Sequence, residues 1–203
     1  IKSYGDNRRT KILNLTSTDE EPIEVKKLQV SLTNYNNVFT AETSTLYTQK
    51  RGGVGNKIKL DNGEYIIDSR TLDSNEELLF FTQDGNVYHR SAHNLIVGEK
   101  TSLITYLNLK DWEHICAFTT NSKKPTEKYI IFITKKGMLK KSELSEYNTN
   151  RSVGLRAITL TPGDEIMEVL FTNDDKIGIL TELGNFLLCL LSLVLHYAEH
   201  PRL

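Results

Sequence analysis

The sequence has few of the residues that build disulfides or metal centres. Two cysteines, Cys116 and Cys189, occur among 203 residues, and neither belongs to a Cys-x-x-Cys motif. We therefore expect two free core thiols in a reducing cytoplasm. The five histidines show no zinc-ligand spacing, because the pair His89 and His93 has no neighbour that would complete a site. No metal site is predicted.

Long apolar runs are also missing. The most apolar segment, "FLLCLLSLVL" from Phe186 to Leu195, has ten residues, whereas a helix needs about 20 to cross a bilayer. A buried terminal helix or a strand is the better interpretation, and no membrane partner is expected. The chain starts at Ile1 without a signal-peptide pattern, so we expect a piece of a longer protein.

The sequence does contain a pattern that occurs four times. Each copy has an apolar run, a threonine, two or three variable residues, usually a glycine, and a second apolar run. The copies are "LQVSLTNYNNVFTA", "LLFFTQDGNVYHR", "YIIFITKKGMLKK" and "KIGILTELGNFLL". Their threonines, Thr33, Thr82, Thr134 and Thr181, are 49, 52 and 47 residues apart. Such a period is typical of solenoids and propellers.

Each copy predicts a β-hairpin. The apolar runs are rich in strand-forming residues, and Gly85 and Gly137 supply the positive φ that tight turns need. In the first copy Asn36 stands at the glycine position, and asparagine tolerates the same left-handed conformation. We expect the three turns to share one geometry.

A second motif follows each of the first three hairpins. The segments "KLDNGEYII", "NLKDWEHIC" and "TLTPGDEIM" each predict a turn followed by a final strand. The sequence thus predicts an all-β, propeller-like array of four-stranded blades, with about three complete and part of a fourth.

Charge alternates within the repeat, although the formal net charge of the chain is only −1. Residues 49–59 carry +4 and residues 61–77 carry −5; residues 135–156 carry +4 and residues 157–175 carry −5. Segregation at the same phase of each repeat predicts a basic stripe that could bind a phosphate backbone. The alternative is that these charges only solvate the surface.

A glycine-rich basic loop follows the first hairpin. It consists of Gln49, Lys50, Arg51, Gly52, Gly53, Val54 and Gly55. Glycines allow close approach of the backbone, and exposed N–H groups beside cations bind phosphates. No Gly-Lys-Ser/Thr follows, so the loop is not a nucleotide P-loop. From its residues alone it is either a phosphate-binding element or a flexible connection between blades.

In this context the loop resembles the basic box in the C-terminal domain of the DNA gyrase A protein, usually Gln-Arg-Arg-Gly-Gly-Lys-Gly. Five positions match, Lys50 preserves a charge, and Val54 replaces a cation. A degenerate copy, "EYNTNRSVG", ends at Gly154. The segments "LLFFTQDGNVYHR" and "YGDNRRTKI" are also similar to that family, the second to the end of its coiled-coil arm.

The resemblance implies a six-bladed β-pinwheel whose basic outer rim binds and bends duplex DNA. In the family this wrapping supports ATP-dependent negative supercoiling by an A2B2 holoenzyme, which uses ATP and Mg²⁺; no cofactor is expected in this chain. The implied segments are the end of the arm and an acidic linker with a short helical lead-in (1–25), the pinwheel (26–188) and an atypical tail (189–203).

Several further residues are implied as phosphate contacts, because they are cations that follow hairpin turns or lie in connecting loops. They are Lys57, Arg90, Lys100, Lys140, Lys141, Arg151 and Arg156. The family's strand-cleaving tyrosine lies upstream of this chain, so no catalytic residue is expected here. Tyr147, beside the degenerate box, is assigned a packing role.

Two other functions fit parts of the pattern. The homologous domain of the topoisomerase IV A protein has a similar fold but usually a degenerate or missing box, so the nearly intact loop favours gyrase. A propeller that binds other proteins would keep the same blades and would not depend on Lys50 and Arg51. The sequence does not favour an enzyme with a central active site, because no cluster of acids, bases or metal ligands recurs in it.

Overall fold

The computed structural model describes residues 25–45, 51, 57–121, 127–148, 154–174, 176–180 and 184–190. Within these ranges the chain is built almost entirely of strands. The strands are β1 (Lys27–Thr33), β2 (Asn37–Glu42), β3 (Ile66–Asp73), β4 (Glu77–Thr82), β5 (Asn86–Ser91), β6 (Lys100–Ser102), β7 (Ile115–Thr120), β8 (Tyr129–Thr134), β9 (Leu139–Glu143), β10 (Leu155–Arg156), β11 (Ile166–Thr172), β12 (Lys176–Leu180) and β13 (Phe186–Leu190).

The helical elements are short. One α-helix, α1 (Leu103–Leu107), and 3-10 turns at Thr43–Thr45, Ala92–Asn94 and Leu144–Tyr147 connect the strands of the described ranges. The sequence pattern did not predict α1. The expected helical lead-in falls on residues 1–25, of which residues 1–24 lie outside the described residues.

The strands form four successive antiparallel sheets, here called blades 1 to 4. Their strand orders are β3-β1-β2-β6, β10-β5-β4-β7, β11-β8-β9 and β12-β13. In each of the first two blades, three strands come from one repeat and the outer strand comes from the next repeat. The all-β array is confirmed, and its blades are linked by exchanged strands. The third and fourth blades have three and two strands within the described ranges.

The hairpin turns share the expected left-handed residue. Asn36 has φ 56°, and Gly85 and Gly137 have φ 81° and 82°. The asparagine therefore does adopt the glycine conformation. In each turn the repeat threonine accepts a hydrogen bond from the backbone amide four residues later, at 3.1–3.3 Å.

The hydrophobic core lies between blades rather than inside one. Alternate residues of β4 point to opposite faces. Leu78 and Phe80 pack against blade 1, whereas Leu79 and Phe81 pack against blade 3, and all four are fully buried. Blade 2 therefore has two apolar faces, which explains why "LLFF", Leu78 to Phe81, is a continuous apolar run.

Blade 1 has one apolar face and one polar face. Leu28, Val30 and Leu32 face blade 2, but the intervening positions hold Gln29 and Ser31, where blade 2 has Leu78 and Phe80. On this polar face Gln29 bonds to Ser69 at 2.7 Å and accepts from Thr71 at 2.6 Å. A polar outer face is typical of the terminal unit in a repeat array.

The segment from Phe186 is a strand in its described part, as one of the two alternatives proposed. Phe186, Leu187 and Leu188 are more than half exposed there. The rest of the apolar run, and the atypical tail from Leu191, lie outside the described residues. Among the helices of the described ranges, none is long and apolar enough to cross a membrane.

Candidate nucleic-acid interface

Most of the basic loop lies outside the described residues. Of its seven positions only Arg51 is described, and it is exposed. The remaining ones, Gln49, Lys50, Gly52, Gly53, Val54 and Gly55, are not covered, and neither is Arg151. The assignment of these residues to phosphate binding stays a prediction.

Two of the other cations are exposed at equivalent positions of their repeats. Arg156 ends the outer strand β10, where it pairs with Asn86 of blade 2. Lys57 follows Val-Gly-Asn just as Arg156 follows Val-Gly-Leu, and both side chains are exposed. Among the described residues neither has a hydrogen-bond or ion-pair partner, so their charges face solvent.

Two further cations contact backbone carbonyls instead. Arg90 donates from Nε to the Tyr106 carbonyl at 3.3 Å and from Nη1 to its neighbour His89 at 2.9 Å. Lys140 donates from Nζ to the Ala157 carbonyl at 2.6 Å. Both side chains are half-buried, so they help to hold the connecting segments as well as adding positive charge.

Lys141 and Lys100 point inward. Lys141 is 5% exposed, and its Nζ lies 3.9 Å from the centroid of the Tyr129 ring, a cation–π contact. Lys100 lies in an ion pair with Glu64 at 2.6 Å and with Asp61 at 3.0 Å. Both lysines were predicted to contact phosphates. In the structure, Lys141 contacts an aromatic ring and Lys100 contacts two carboxylates.

Acidic residues cluster in and after the turn that precedes the final strand of a blade. Asp61 and Asp164 lie in or beside the turns before the final strands, and Asp68 and Glu168 lie on the final strands β3 and β11. In blade 1 the final strand β3 is at the opposite edge of the sheet from the outer strand β6. Acids beside the turns still pair with cations, Asp61 and Glu64 with Lys100 on β6 and Glu165 with Lys135 at 2.7 Å, so the alternation of charge along the chain does not become a full separation across the blade.

Sequence reasoning missed a buried carboxylate that recurs in this arrangement. The side chain of Glu64 is fully buried. It accepts hydrogen bonds from Thr33, Asn37, the Asp61 amide and Lys100 at 2.6–2.9 Å. The signal was present, because Glu64, Glu113 and Asp164 occupy one column when the turn motifs are aligned.

Two opposing effects act on the pKa of Glu64. Burial raises the pKa, but the hydrogen bonds from Asn37, the Asp61 amide, Lys100 and Thr33 outweigh it and lower the pKa from 4.5 to about 2. The folded protein therefore binds this proton less readily than the unfolded chain does.

We expect Glu64 to make the stability of the chain sensitive to acid. Since its folded pKa is depressed, its contribution is complete above pH 4.5 and is lost as the pH falls toward 2. Urea unfolding at several pH values measures this, with Glu64→Gln as the comparison. The variant should be less stable at neutral pH and should lose less stability on acidification. Parallel pH profiles for the two proteins would contradict the assignment.

Comparison with known proteins places this fold and surface in context. A family model described as "DNA gyrase C-terminal domain, beta-propeller" matches residues 76–97 and 128–173. The DNA gyrase A protein of Streptococcus pyogenes is 32% identical over 193 residues, covering 90% of this chain and 23% of that protein. The chain is a homologue of the gyrase A C-terminal domain.

Other relatives agree with this identification. The DNA gyrase A protein of Brachyspira hyodysenteriae is 33% identical over 187 residues, covering 87% of this chain and 22% of that protein. This gyrase A C-terminal domain homologue therefore spans about a quarter of the length of such relatives.

Solved structures support the fold, but they do not distinguish a gyrase domain from a topoisomerase IV domain. A DNA gyrase A C-terminal domain has a TM-score of 0.58 at 20% identity, covering 80% of this chain and 54% of that one. A topoisomerase IV C-terminal domain has a TM-score of 0.63 at 20% identity, covering 82% and 52%. The gyrase A homologue thus has a fold that both types share.

Tyr147 packs in the core of this gyrase A homologue. It is buried, and its ring lies edge-on to Phe81 and Phe132 with centroids 5.8 and 6.2 Å apart. Burial raises the pKa of its hydroxyl to about 12. These contacts confirm the packing role predicted for it.

Proposed function

We propose that this chain is a DNA-wrapping module of a gyrase A protein, which binds duplex DNA around a basic outer rim. The gyrase B protein, together with the remainder of the A protein, would be its partner in a cytoplasmic A2B2 holoenzyme. There the wrap would support negative supercoiling driven by ATP with Mg²⁺, and this chain would contribute no catalytic residue.

The recurrence of an unpaired, exposed cation carries the proposal. Arg156 lies on the outer strand of blade 2, and Lys57 holds the equivalent position of the first repeat. Cations at one position of the first and third repeats can contact a phosphate backbone that runs past both, whereas contacts to bases would need side chains that enter a groove. The proposed binding is therefore strongly salt-dependent and weakly sequence-dependent.

The basic loop would extend this surface. Arg51 is exposed, and Lys50, Gly52, Gly53 and Gly55 provide the charge and backbone access that a phosphate needs. Gln49, Val54 and Arg151 complete the proposed surface, with Arg90 and Lys140 adding to its potential. The near-complete loop favours gyrase over topoisomerase IV.

The affinity for duplex DNA across a salt series tests this function. Each phosphate contact contributes about −0.9 to the slope of log K against log salt. Lys57→Ala and Arg156→Ala should each flatten the slope by about 1. Lys50→Ala/Arg51→Ala should flatten it further.

Two control variants sharpen this assay. Lys27→Ala removes an exposed lysine whose Nζ lies 3.8 Å from Asp73, so it should leave the slope unchanged. Ser102→Arg adds a cation at the exposed position of β6 that pairs with Asn37, as Arg156 pairs with Asn86. It should steepen the slope by about 1. If the folded chain shows a flat slope and no variant changes it, DNA wrapping by this chain is wrong and the protein-interaction alternative is favoured.

A further inference from the structure

We infer that Lys100 and Glu64 form a joint that fixes blade 2 against blade 1, which makes Lys100 a positioning residue for the DNA rim. The inference deepens the proposed function and rests on it only for the part that concerns DNA.

The carboxylate first fastens each final strand to its own hairpin. Glu64 accepts from the side chain of Asn37, and Glu113 accepts from Asn86 at the equivalent place, both at 2.9 Å. Each also accepts the backbone amide three residues earlier, from Asp61 at 2.9 Å and from Lys110 at 3.0 Å. These contacts are the same in both blades.

The remaining capacity of the carboxylate is filled differently in the two blades. Glu64 fills it with the Thr33 hydroxyl of its own hairpin and with Lys100 of the next repeat, which lies on the exchanged strand β6, paired with Phe39 of β2. Glu113 takes its last donor from its own hairpin, where the Tyr88 hydroxyl lies 2.9–3.0 Å from both oxygens. Of these two blades, blade 1 therefore uses the carboxylate to bind its neighbour and blade 2 does not.

The residues around the two carboxylates differ in a compensating way. Tyr88 in blade 2 is equivalent to Phe39 in blade 1, and Gly154 in the third repeat is equivalent to Lys100 in the second. A Cβ atom on residue 154 would lie 2.7 Å from Cζ of Tyr88. The Tyr88 ring thus requires glycine opposite it, whereas Phe39 has no hydroxyl to donate and Lys100 supplies the corresponding hydrogen bond to Glu64.

The third blade gives an independent observation. Its equivalent carboxylate, Asp164, accepts the amides of Lys136 and Glu165, each at 3.0 Å. Its Oδ2 atom is buried without a hydrogen-bond partner among the described residues. Within those residues, blade 3 is also the first blade without an outer strand from a following repeat.

The joint determines where the rim cations lie relative to one another. Lys57 belongs to the first repeat and Arg156 to the third, so the second blade sets the path between them. A joint closed by a charge pair whose carboxylate is fully buried fixes that path, because breaking it leaves the charge of Glu64 without its cation. The ammonium group of Lys100 is then occupied by carboxylates and does not contact phosphate.

Thermal unfolding and DNA affinity of three variants test the joint. Lys100→Gly should lower Tm by roughly 6–12 °C. Phe39→Tyr/Lys100→Gly reproduces the pair found in blade 2 and should recover at least half of that loss. The double variant should also keep the salt slope of the unmodified chain, whereas Lys57→Ala should flatten it by about 1.

Each result separates the joint from the proposed function. An unchanged Tm for Lys100→Gly would overturn the joint. A slope flattened by about 1 in the folded double variant would make Lys100 a phosphate contact and would overturn the inference as well. If Lys100→Gly does not fold, the double variant tests the joint on its own. Failure of the double variant to fold would show that Phe39→Tyr does not compensate for the lost lysine, which would overturn the inference. An unaffected slope in Lys57→Ala counts against DNA wrapping, while the Tm values still decide the joint.

Discussion

Truncation of Phe81 to alanine is expected to lower the free energy of unfolding by about 3–5 kcal/mol. Phe81 is fully buried, and its ring packs against Phe132, Tyr147 and Phe171 with centroids 5.7–6.0 Å apart. These partners belong to the third repeat, so the cavity would open at the junction between blades 2 and 3. The backbone of two sheets cannot collapse around it without breaking strand pairs.

Urea denaturation of the whole chain measures this loss. Trp112→Ala is the control, since Trp112 is 65% exposed and its removal should change stability by no more than about 0.5 kcal/mol. If both variants lose the same free energy, the junction between blades is not the principal core.

Substitution of Gly85 by alanine should cost about 2–5 kcal/mol, the sum of two effects. A side chain at φ 81° is strained by about 1–2 kcal/mol, and overpacking adds about 1–3 kcal/mol. A Cβ atom at this position would lie 2.6 Å from the carbonyl oxygen of Ile158. The Gly85 carbonyl also accepts the amides of Ala157 and Ile158 at 2.8 and 3.1 Å, so the turn cannot move away.

Gly137 offers a matched control in the next hairpin. It has φ 82°, but a Cβ atom there meets nothing within 4 Å. Gly137→Ala should therefore cost only the backbone strain, about 1–2 kcal/mol. The difference between the two variants isolates the contact between blades, and equal losses in urea unfolding would show that the Gly85 turn does not carry that contact.

The hairpins and their turns could be predicted because the information is local. A positive φ at position 36 follows from an asparagine that replaces glycine in an aligned turn, and the structure confirms it. The exchange of outer strands could not be predicted in this way. β6 and β10 have three and two residues, too few for a periodic pattern, and their partners lie far earlier in the chain, in the preceding repeat.

The charge pattern predicted a basic surface but not the direction of each side chain. Lys57 and Arg156 are exposed, whereas Lys141 lies over the Tyr129 ring and Lys100 lies against Glu64. A count of charges treats these lysines alike. The Glu64 carboxylate distinguishes Lys100 from Lys57. The aligned acidic column marks its position in the sequence, but its burial and its four donors depend on the tertiary structure.

The most direct test of the central claim is the salt slope of the unmodified chain on duplexes of increasing length. A wrapping surface gains phosphate contacts as the duplex grows, so the slope should steepen between about 20 and about 60 base pairs, by about 0.9 for each added contact. We expect this increase, and a slope flattened by about 2 at the longer duplex in Lys57→Ala/Arg156→Ala. A slope near zero, or one that is the same at both lengths, would contradict wrapping by this chain.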